Sequence, residues 1–262
     1  QLFIAAVIPA ILAVFLYMLA IALYVKAVPD AAPSRQQRAS LEQIGKAARQ
    51  AWAALLLFAI VIGGLYGGVF TATEAAAFGA GGAFVFAWYR GKLSGDALFR
   101  VMGETTATTA MVYILIFGAL TFSFFMGVTG VPERMTEFFE HLQMAPVVVI
   151  SLLLVVYIAL GAVMDPYPVM FITVPIVAPL IDGLGYNPVW WGVVMVVVLE
   201  TGLITPPFGI NVFVLKSVAG TNVPLTTIFR GVMPFVGADL VKLALLVLFP
   251  ALALWLPSTM IN

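Results

Sequence analysis

Cysteine is missing from the chain altogether, and histidine occurs once, at His141. The first absence excludes disulfides, thiolate metal sites and cysteine nucleophiles. Neither His-Glu-x-x-His nor Gly-x-Ser-x-Gly occurs, so an intramembrane hydrolase has no recognisable machinery. Charge is scarce as well: Asp, Glu, Lys and Arg make up 9% of the residues, against about 25% in a soluble domain. The 12 basic and 12 acidic residues cancel, which leaves no electrostatic footprint for nucleic acid. With so few charges the chain is unable to cover its surface in water.

What is present is hydrocarbon. The hydrophobic share is 63% and the mean hydropathy is +1.12. The apolar stretches approach the roughly 20 residues that a spanning helix needs, and they lack the short alternating segments of a membrane β-barrel. The reading is an all-α polytopic membrane protein. Residues 3–25 form the first span; no basic region precedes it and no small-residue cleavage pattern follows, so it is not a signal peptide. The chain begins at Gln1 instead of Met, and an upstream segment is expected.

Along the chain, a polar stretch with Lys26, Arg35, Arg38, Lys46 and Arg49 follows the first span, and 41–50 reads as a short amphipathic helix. Apolar segments 51–68 and 72–89 flank the turn Thr71-Ala72-Thr73-Glu74, where Glu74 is placed to cap a helix starting at Ala75. A second basic patch, Arg90, Lys92 and Arg100, precedes a span over 101–128. Residues 133–141 are acidic and amphipathic, with Glu133, Glu137 and Glu140 on one helix face and His141 solvated at the end. Because basic loops stay in the cytoplasm, both basic patches lie inside and the acidic segment outside. Arg230 marks a further cytoplasmic connection, and 231–256 crosses once more. Trp190 and Trp191, beside Asn187-Pro188, read as interfacial anchors.

Two interruptions carry the chemistry. Apolar 146–161 stops at Gly161-Ala162-Val163-Met164-Asp165-Pro166 and resumes to 181 through three prolines. Apolar 188–204 breaks at Thr205-Pro206-Pro207-Phe208-Gly209-Ile210-Asn211 and continues to 218. Proline removes a backbone donor and clashes with the preceding turn, so tandem prolines with a nearby glycine are incompatible with continuous helix. Carbonyls freed at membrane depth are tolerated only inside protein or along a cavity. Broken helices of this kind hold Na⁺ on unwound carbonyls and anionic groups on half-helix N-termini. The alternative for the second break is an ordinary proline kink. For the first it is a simple loop, against a re-entrant hairpin entering from outside. Glu200, within an apolar segment, is expected to face the bundle; for Glu200 and Asp165, a structural hydrogen bond competes with ion contact.

The motifs Gly67-Gly68-Val69-Phe70-Thr71-Ala72-Thr73-Glu74-Ala75-Ala76-Ala77, Val174-Pro175-Ile176-Val177-Ala178-Pro179 and Leu203-Ile204-Thr205-Pro206-Pro207-Phe208-Gly209-Ile210-Asn211-Val212-Phe213-Val214 resemble, in order and spacing, the large membrane subunit of tripartite ATP-independent periplasmic (TRAP) transporters. Ala72 stands where members usually have proline. The resemblance implies the C-terminal half of an inverted-repeat, elevator-type transporter. Residues 1–143 would then be scaffold and arm helices and 144–218 the transport elements, with a hairpin at 146–181 and a broken helix at 188–218. Residues 219–262 would be a connection and the last transmembrane helix. It further implies Na⁺-coupled import of an organic acid through the bacterial inner membrane. A small membrane subunit, a periplasmic binding protein and the other half of the large subunit would be partners, with no organic cofactor. Carried onto this sequence, the Na⁺ candidates are Gly161, Met164, Asp165, Thr205, Pro206, Gly209 and Asn211. The substrate candidates are Pro166, Thr205, Pro207 and Asn211, with Glu200 in support. The acidic segment is expected to contribute to docking of the binding protein. A channel-like pore or a non-transporting scaffold subunit is the competing reading.

The charge distribution makes a testable topology. In this cysteine-free chain, cysteines placed at Arg35 and Arg90 should resist an impermeant thiol reagent added outside intact cells, whereas one at Glu137 should react. Labelling at position 35 or 90 would refute the assignment.

Overall fold

The structure, a computed structural model, describes residues 1–29, 40–220 and 223–259. Its regular elements are helices: α1 (Leu2–Ala5), α2 (Val7–Ala27), α3 (Leu41–Tyr66), α4 (Ala72–Tyr89), α5 (Gly95–Thr129), α6 (Val131–His141), α7 (Pro146–Val163), α8 (Pro166–Gly183), α9 (Pro188–Ile204), α10 (Ile210–Ala219), α11 (Leu225–Leu248) and α12 (Ala251–Ser258). Five helical stretches among the described residues are long and apolar enough to cross a membrane: 2–27, α5, α7, α8 and α11. Arg35 and Arg38 lie outside the described residues.

Local chemistry sets most boundaries. Proline clashes with the carbonyl four residues earlier, and Pro9 accordingly falls four residues after Ala5, where α1 gives way to α2. Between α3 and α4, the Thr71 hydroxyl accepts from Glu74 N–H at 3.3 Å, while the Glu74 carboxylate accepts from Thr71 N–H at 2.8 Å. This is a reciprocal capping box. Glu74 therefore does cap, but the helix starts at Ala72 and its N-cap is Thr71. Helix α5 ends at Gly130, whose φ of +63° is the left-handed conformation that glycine adopts freely.

Four expectations need correction. The 41–50 amphipathic segment is not separate: α3 runs unbroken from Leu41 to Tyr66, because Ala-rich sequence around residue 50 offers nothing to stop a helix. Arg230 marks no connection, since α11 runs from Leu225 through it. The last crossing does not continue to 256. It stops at Phe249, which Pro250 pushes out of helical conformation (φ −128°, ψ 74°), and α12 follows. Finally, Trp190 and Trp191 are core residues, 0% and 4% exposed. The Trp190 indole N–H donates to the Leu246 carbonyl at 2.8 Å, and its ring stacks on Tyr186 with centroids 4.7 Å apart. A buried indole with its donor satisfied anchors packing just as well as it anchors an interface.

The core is built on α9. Its Val194, Val198 and Leu199 are buried against Val149, Ile150 and Leu153 of α7, and Leu243 and Leu246 of α11 and Ala253 of α12 join the same cluster. Helices α7 and α9 run parallel: Tyr157 meets Trp191 edge-on at 5.7 Å, and near their C-terminal ends Gly161 touches Gly202 backbone to backbone. A Cβ at Gly202 would sit 2.7 Å from the carbonyl carbon of Gly161 and 2.9 Å from the Ala162 nitrogen. Glycine at such crossings lets backbones approach where no side chain fits. Elsewhere α3 pairs with α4, and α8 packs on α5 and α6. Long apolar side chains of α5, such as Phe117 and Phe124, remain exposed, as a lipid-facing or subunit-facing surface requires.

The glycine crossing generates a stability test. Gly202→Ala should destabilise the fold by roughly 1–3 kcal/mol, the usual magnitude of overpacking, read as a lower melting temperature in detergent. Gly118→Ala, where an added Cβ meets nothing within 4 Å, should be neutral or stabilising. Equal behaviour of the two variants would contradict the close crossing.

Candidate functional site

Because α7 and α9 run parallel and cross near their C-termini, both interruptions arrive at the same place. Helix α7 ends at Val163, and Met164 leaves helical conformation (φ −120°, ψ 154°). Helix α9 ends at Ile204, with Thr205 extended. One hydrogen bond then ties the two breaks together: Gly209 N–H donates to the Ala162 carbonyl at 3.3 Å. Gly209 has φ +52°, and a Cβ there would lie 3.2 Å from the Thr205 carbonyl oxygen; both observations favour glycine. The Pro206–Pro207 peptide is cis.

Four helix ends therefore converge. The C-termini of α7 and α9 present the negative ends of their dipoles, and the N-termini of α8 and α10 present positive ends. The Thr205 hydroxyl donates to the Thr201 carbonyl at 2.6 Å, leaving its oxygen lone pairs as acceptors. Asp165 is the N-cap of α8, its carboxylate accepting from Tyr167 N–H at 3.0 Å. Further back from the tip, the Tyr157 hydroxyl donates to Thr173 Oγ1 at 2.6 Å. This bond ties α7 to α8.

The predicted residues distribute unevenly over this junction. Gly161, Thr205 and Gly209 belong to it, and Met164, Asp165, Pro166, Pro206 and Pro207 lie in its two connecting loops or at their edges. The interruptions are narrower than the sequence suggests. Gly161, Ala162 and Val163 are still helical, and Ile210 and Asn211 already belong to α10, with Asn211 exposed. Helical conformation resumes there because Gly209, in its left-handed conformation, starts a new helix. The limb after the first break is one full helix. Helix α8 spans Pro166–Gly183, and 18 residues at about 1.5 Å each nearly match the roughly 30 Å hydrocarbon core. Pro175 and Pro179 are accommodated within it.

Glu200, expected to face the bundle, is exposed in this chain and is turned away from the junction. It lines a separate cavity of about 570 Å³ bounded by α1, α2, α8, α9 and α11. Three residues there escape a reading of the sequence. Asp239 and Lys242 of α11 form a buried ion pair of 2.7 Å, and the Tyr17 hydroxyl of α2 donates to the same Asp239 Oδ1 at 2.7 Å. The Lys242 ammonium lies 5.6 Å from the centre of the Tyr17 ring. A signal exists, since two ionisable residues three apart in the apolar second half of α11 are rare enough in membranes to be read as a site. Gly202 and Ala162 escape as well, because only the crossing of α7 and α9 gives them a role. His141 is exposed at the end of α6, as expected.

The described residues form helices, several of them of membrane length, with two docked helix breaks, which defines a multi-pass membrane protein. Residues 1–252 match the family described as tripartite ATP-independent periplasmic transporter, DctM component, and the chain belongs to that family. It is 34% identical over 259 residues to the C4-dicarboxylate TRAP transporter large permease protein DctM of Pseudomonas aeruginosa, covering 98% of this chain and 60% of the relative. It is 31% identical to the ectoine TRAP transporter large permease protein TeaC of Halomonas elongata (98% and 59% covered). With the sialic acid TRAP transporter large permease protein SiaM of Vibrio cholerae the identity is 29% (84% and 52% covered). The chain thus spans about 60% or less of these relatives' lengths. They are permease subunits, not enzymes.

Asp165 separates a capping role from a charge role. Asn at an N-cap performs about as well as Asp, while Ala loses about 1 kcal/mol. If the carboxylate only caps α8, Asp165→Asn should keep both stability and uptake, and Asp165→Ala should lose stability. Loss of uptake in Asp165→Asn with unchanged melting temperature would show that the charge itself is required.

Proposed function

We infer that this chain is part of the large membrane subunit of a Na⁺-coupled TRAP importer, residing in the bacterial inner membrane and carrying an organic acid. The observation that carries the reading is the Gly209–Ala162 hydrogen bond together with the Gly161–Gly202 contact, which support treating the two breaks as one site. Na⁺ is a hard cation that prefers oxygen; the α7 and α9 C-termini, Thr205 and the backbone of the 205–209 loop offer it at the negative ends of two dipoles. A substrate carboxylate fits the opposite poles, the N-termini of α8 and α10, beside Pro166, Pro207 and Asn211. On this reading 146–181 acts as a re-entrant hairpin and moves with the broken helix at 188–218 as an elevator unit. The substrate classes named for these relatives, C4-dicarboxylates, sialic acid and ectoine, support a small organic acid as this chain's class of substrate.

The machine needs partners: a small membrane subunit, a periplasmic substrate-binding protein, and the rest of the large subunit. Exposed Glu133 and Glu137 on α6 form the acidic outer segment proposed to meet the binding protein. The amphipathic character of 131–141 suits a helix lying at the membrane surface.

The test is the Na⁺ dependence of uptake in proteoliposomes, normalised to inserted protein. Replacing both Pro206 and Pro207 by Ala favours helix by about 3 kcal/mol per residue on intrinsic scales, and should close the ladder over the carbonyls assigned to the ion. That variant should raise the Na⁺ concentration for half-maximal uptake more than Asn211→Ala, which leaves the backbone break intact. An ordinary proline kink instead gives altered stability with unchanged Na⁺ dependence. Identical Na⁺ curves for wild type and the double variant would overturn the assignment.

A further inference from the structure

Helices α2 and α11 pack antiparallel, since α1, which leads into α2, meets α12, which follows α11. Near the middle of both helices the Tyr17–Asp239 hydrogen bond joins them, and Tyr17 meets Phe235 edge-on with centroids 5.5 Å apart. On another side of the pair an open groove of about 350 Å³ runs between Leu19 and Leu23 of α2 and Pro234, Ala238 and Val241 of α11. Its walls are almost wholly apolar. The α11 wall repeats at intervals of three and four residues, which is one helix face, and Arg230 continues that face one turn beyond Pro234. On the α2 wall, Lys26 stands seven residues after Leu19 and three after Leu23, in the last turn of the helix. Lys26 lies nine residues beyond Tyr17, and Arg230 lies nine before Asp239. At 1.5 Å per residue both are therefore about 14 Å from the joining bond, at the same end of the groove. Half of the hydrocarbon core is about 15 Å, so the groove runs from mid-membrane to headgroup level. Both basic side chains are exposed, and among the described residues neither makes a hydrogen bond or an ion pair.

We propose that this groove binds an anionic phospholipid of the cytoplasmic leaflet. One acyl chain lies along the apolar walls, and the phosphodiester sits between Lys26 and Arg230. Charge complementarity selects the occupant. Two cations at one level, at the end of an uncharged groove, match a ligand with a single negative charge above a hydrocarbon tail. Basic pockets between transmembrane helices on the cytoplasmic side bind lipid headgroups in this way. Arg230 can meet the phosphate with two parallel N–H bonds, while Lys26 reaches it on a long apolar stem. A zwitterionic headgroup fits less well, because its own ammonium is repelled by the same two cations. Tyr24, which lines the groove near Lys26, belongs to a residue type enriched at this depth. The proposal rests on α2 and α11 crossing the membrane with their basic ends inside, and not on the Na⁺ site.

The site is tested on the assembled permease, with this chain inside its full large subunit, in nanodiscs of equal parts phosphatidylcholine and phosphatidylglycerol. Native mass spectrometry after transfer to mild detergent counts the lipids that stay bound. Wild type should retain phosphatidylglycerol in preference to phosphatidylcholine. Lys26→Gln and Arg230→Gln should each weaken that preference about fivefold, the usual effect of one basic residue near an anionic surface, and Lys26→Arg should keep it. Gly237→Trp should displace the lipid with both charges intact, because Gly237 lines the groove and an added Cβ there meets nothing within 4 Å. Equal retention of the two lipids by wild type, or an undiminished preference in the Lys26→Gln, Arg230→Gln double variant, would overturn the proposal. A photoreactive label on Val241→Cys, in this cysteine-free chain, identifies the occupant even if Gly237→Trp does not fold. Cross-linking to lipid supports the site, and cross-linking to a partner helix assigns the groove to protein and refutes it. No arm reads uptake, so the Na⁺ assignment stands or falls separately.

Discussion

The fold's functional geometry depends on two glycines in contact. Gly161 and Gly202 let α7 and α9 cross so closely that any Cβ would intrude on the opposing backbone. Close approach in membranes needs small residues because lipid tails are as apolar as leucine and give no hydrophobic drive for helices to pair. What results is more than a packing contact. Since the two helices are parallel and cross near their ends, their interruptions are delivered to one location, and Gly209 is near enough to bond Ala162. A larger residue at either crossing position would separate the breaks that the transport reading requires to act together.

Around that crossing the molecule has two faces of different chemistry. On one, four helix ends and a few hydroxyl and carbonyl oxygens meet with no buried charged side chain among the described residues, which suits a small cation and an anion held by dipoles. On the other, formal charge is concentrated in Asp239, Lys242 and Glu200 around a mostly apolar cavity. Helix α9 separates the two. Its buried residues also join α7 to α11 and α12, so any displacement of the break loop is borne by the element that carries Glu200.

Much of this architecture is legible in the sequence. Low charge and long apolar runs specify the membrane class, the tandem prolines with Gly209 mark the α9–α10 break, and the Thr71 to Glu74 pattern marks the cap. The departures have identifiable causes. Trp190 and Trp191 read as interfacial because composition near a helix start does not say which face is covered, and here Tyr157, Tyr186 and α11 cover it. Each break looks wider in sequence than in space because glycine and proline weaken a helix without fixing where it ends. Asp239 and Lys242 are hidden in a segment whose average hydropathy is high, since averaging conceals an i,i+3 ion pair.

By itself, then, the sequence determined the solvent of the fold, the number and approximate position of its apolar segments, and where the backbone has to leave helical conformation. These follow from local chemistry: side-chain transfer energies, the missing N–H of proline and the conformational freedom of glycine. Only the tertiary structure decided which breaks meet, which side of α9 Glu200 occupies, and which carboxylate Lys242 neutralises. Those are pairings set by the direction and depth at which helices cross, most of them between residues far apart in the chain, and no short-range pattern encodes them.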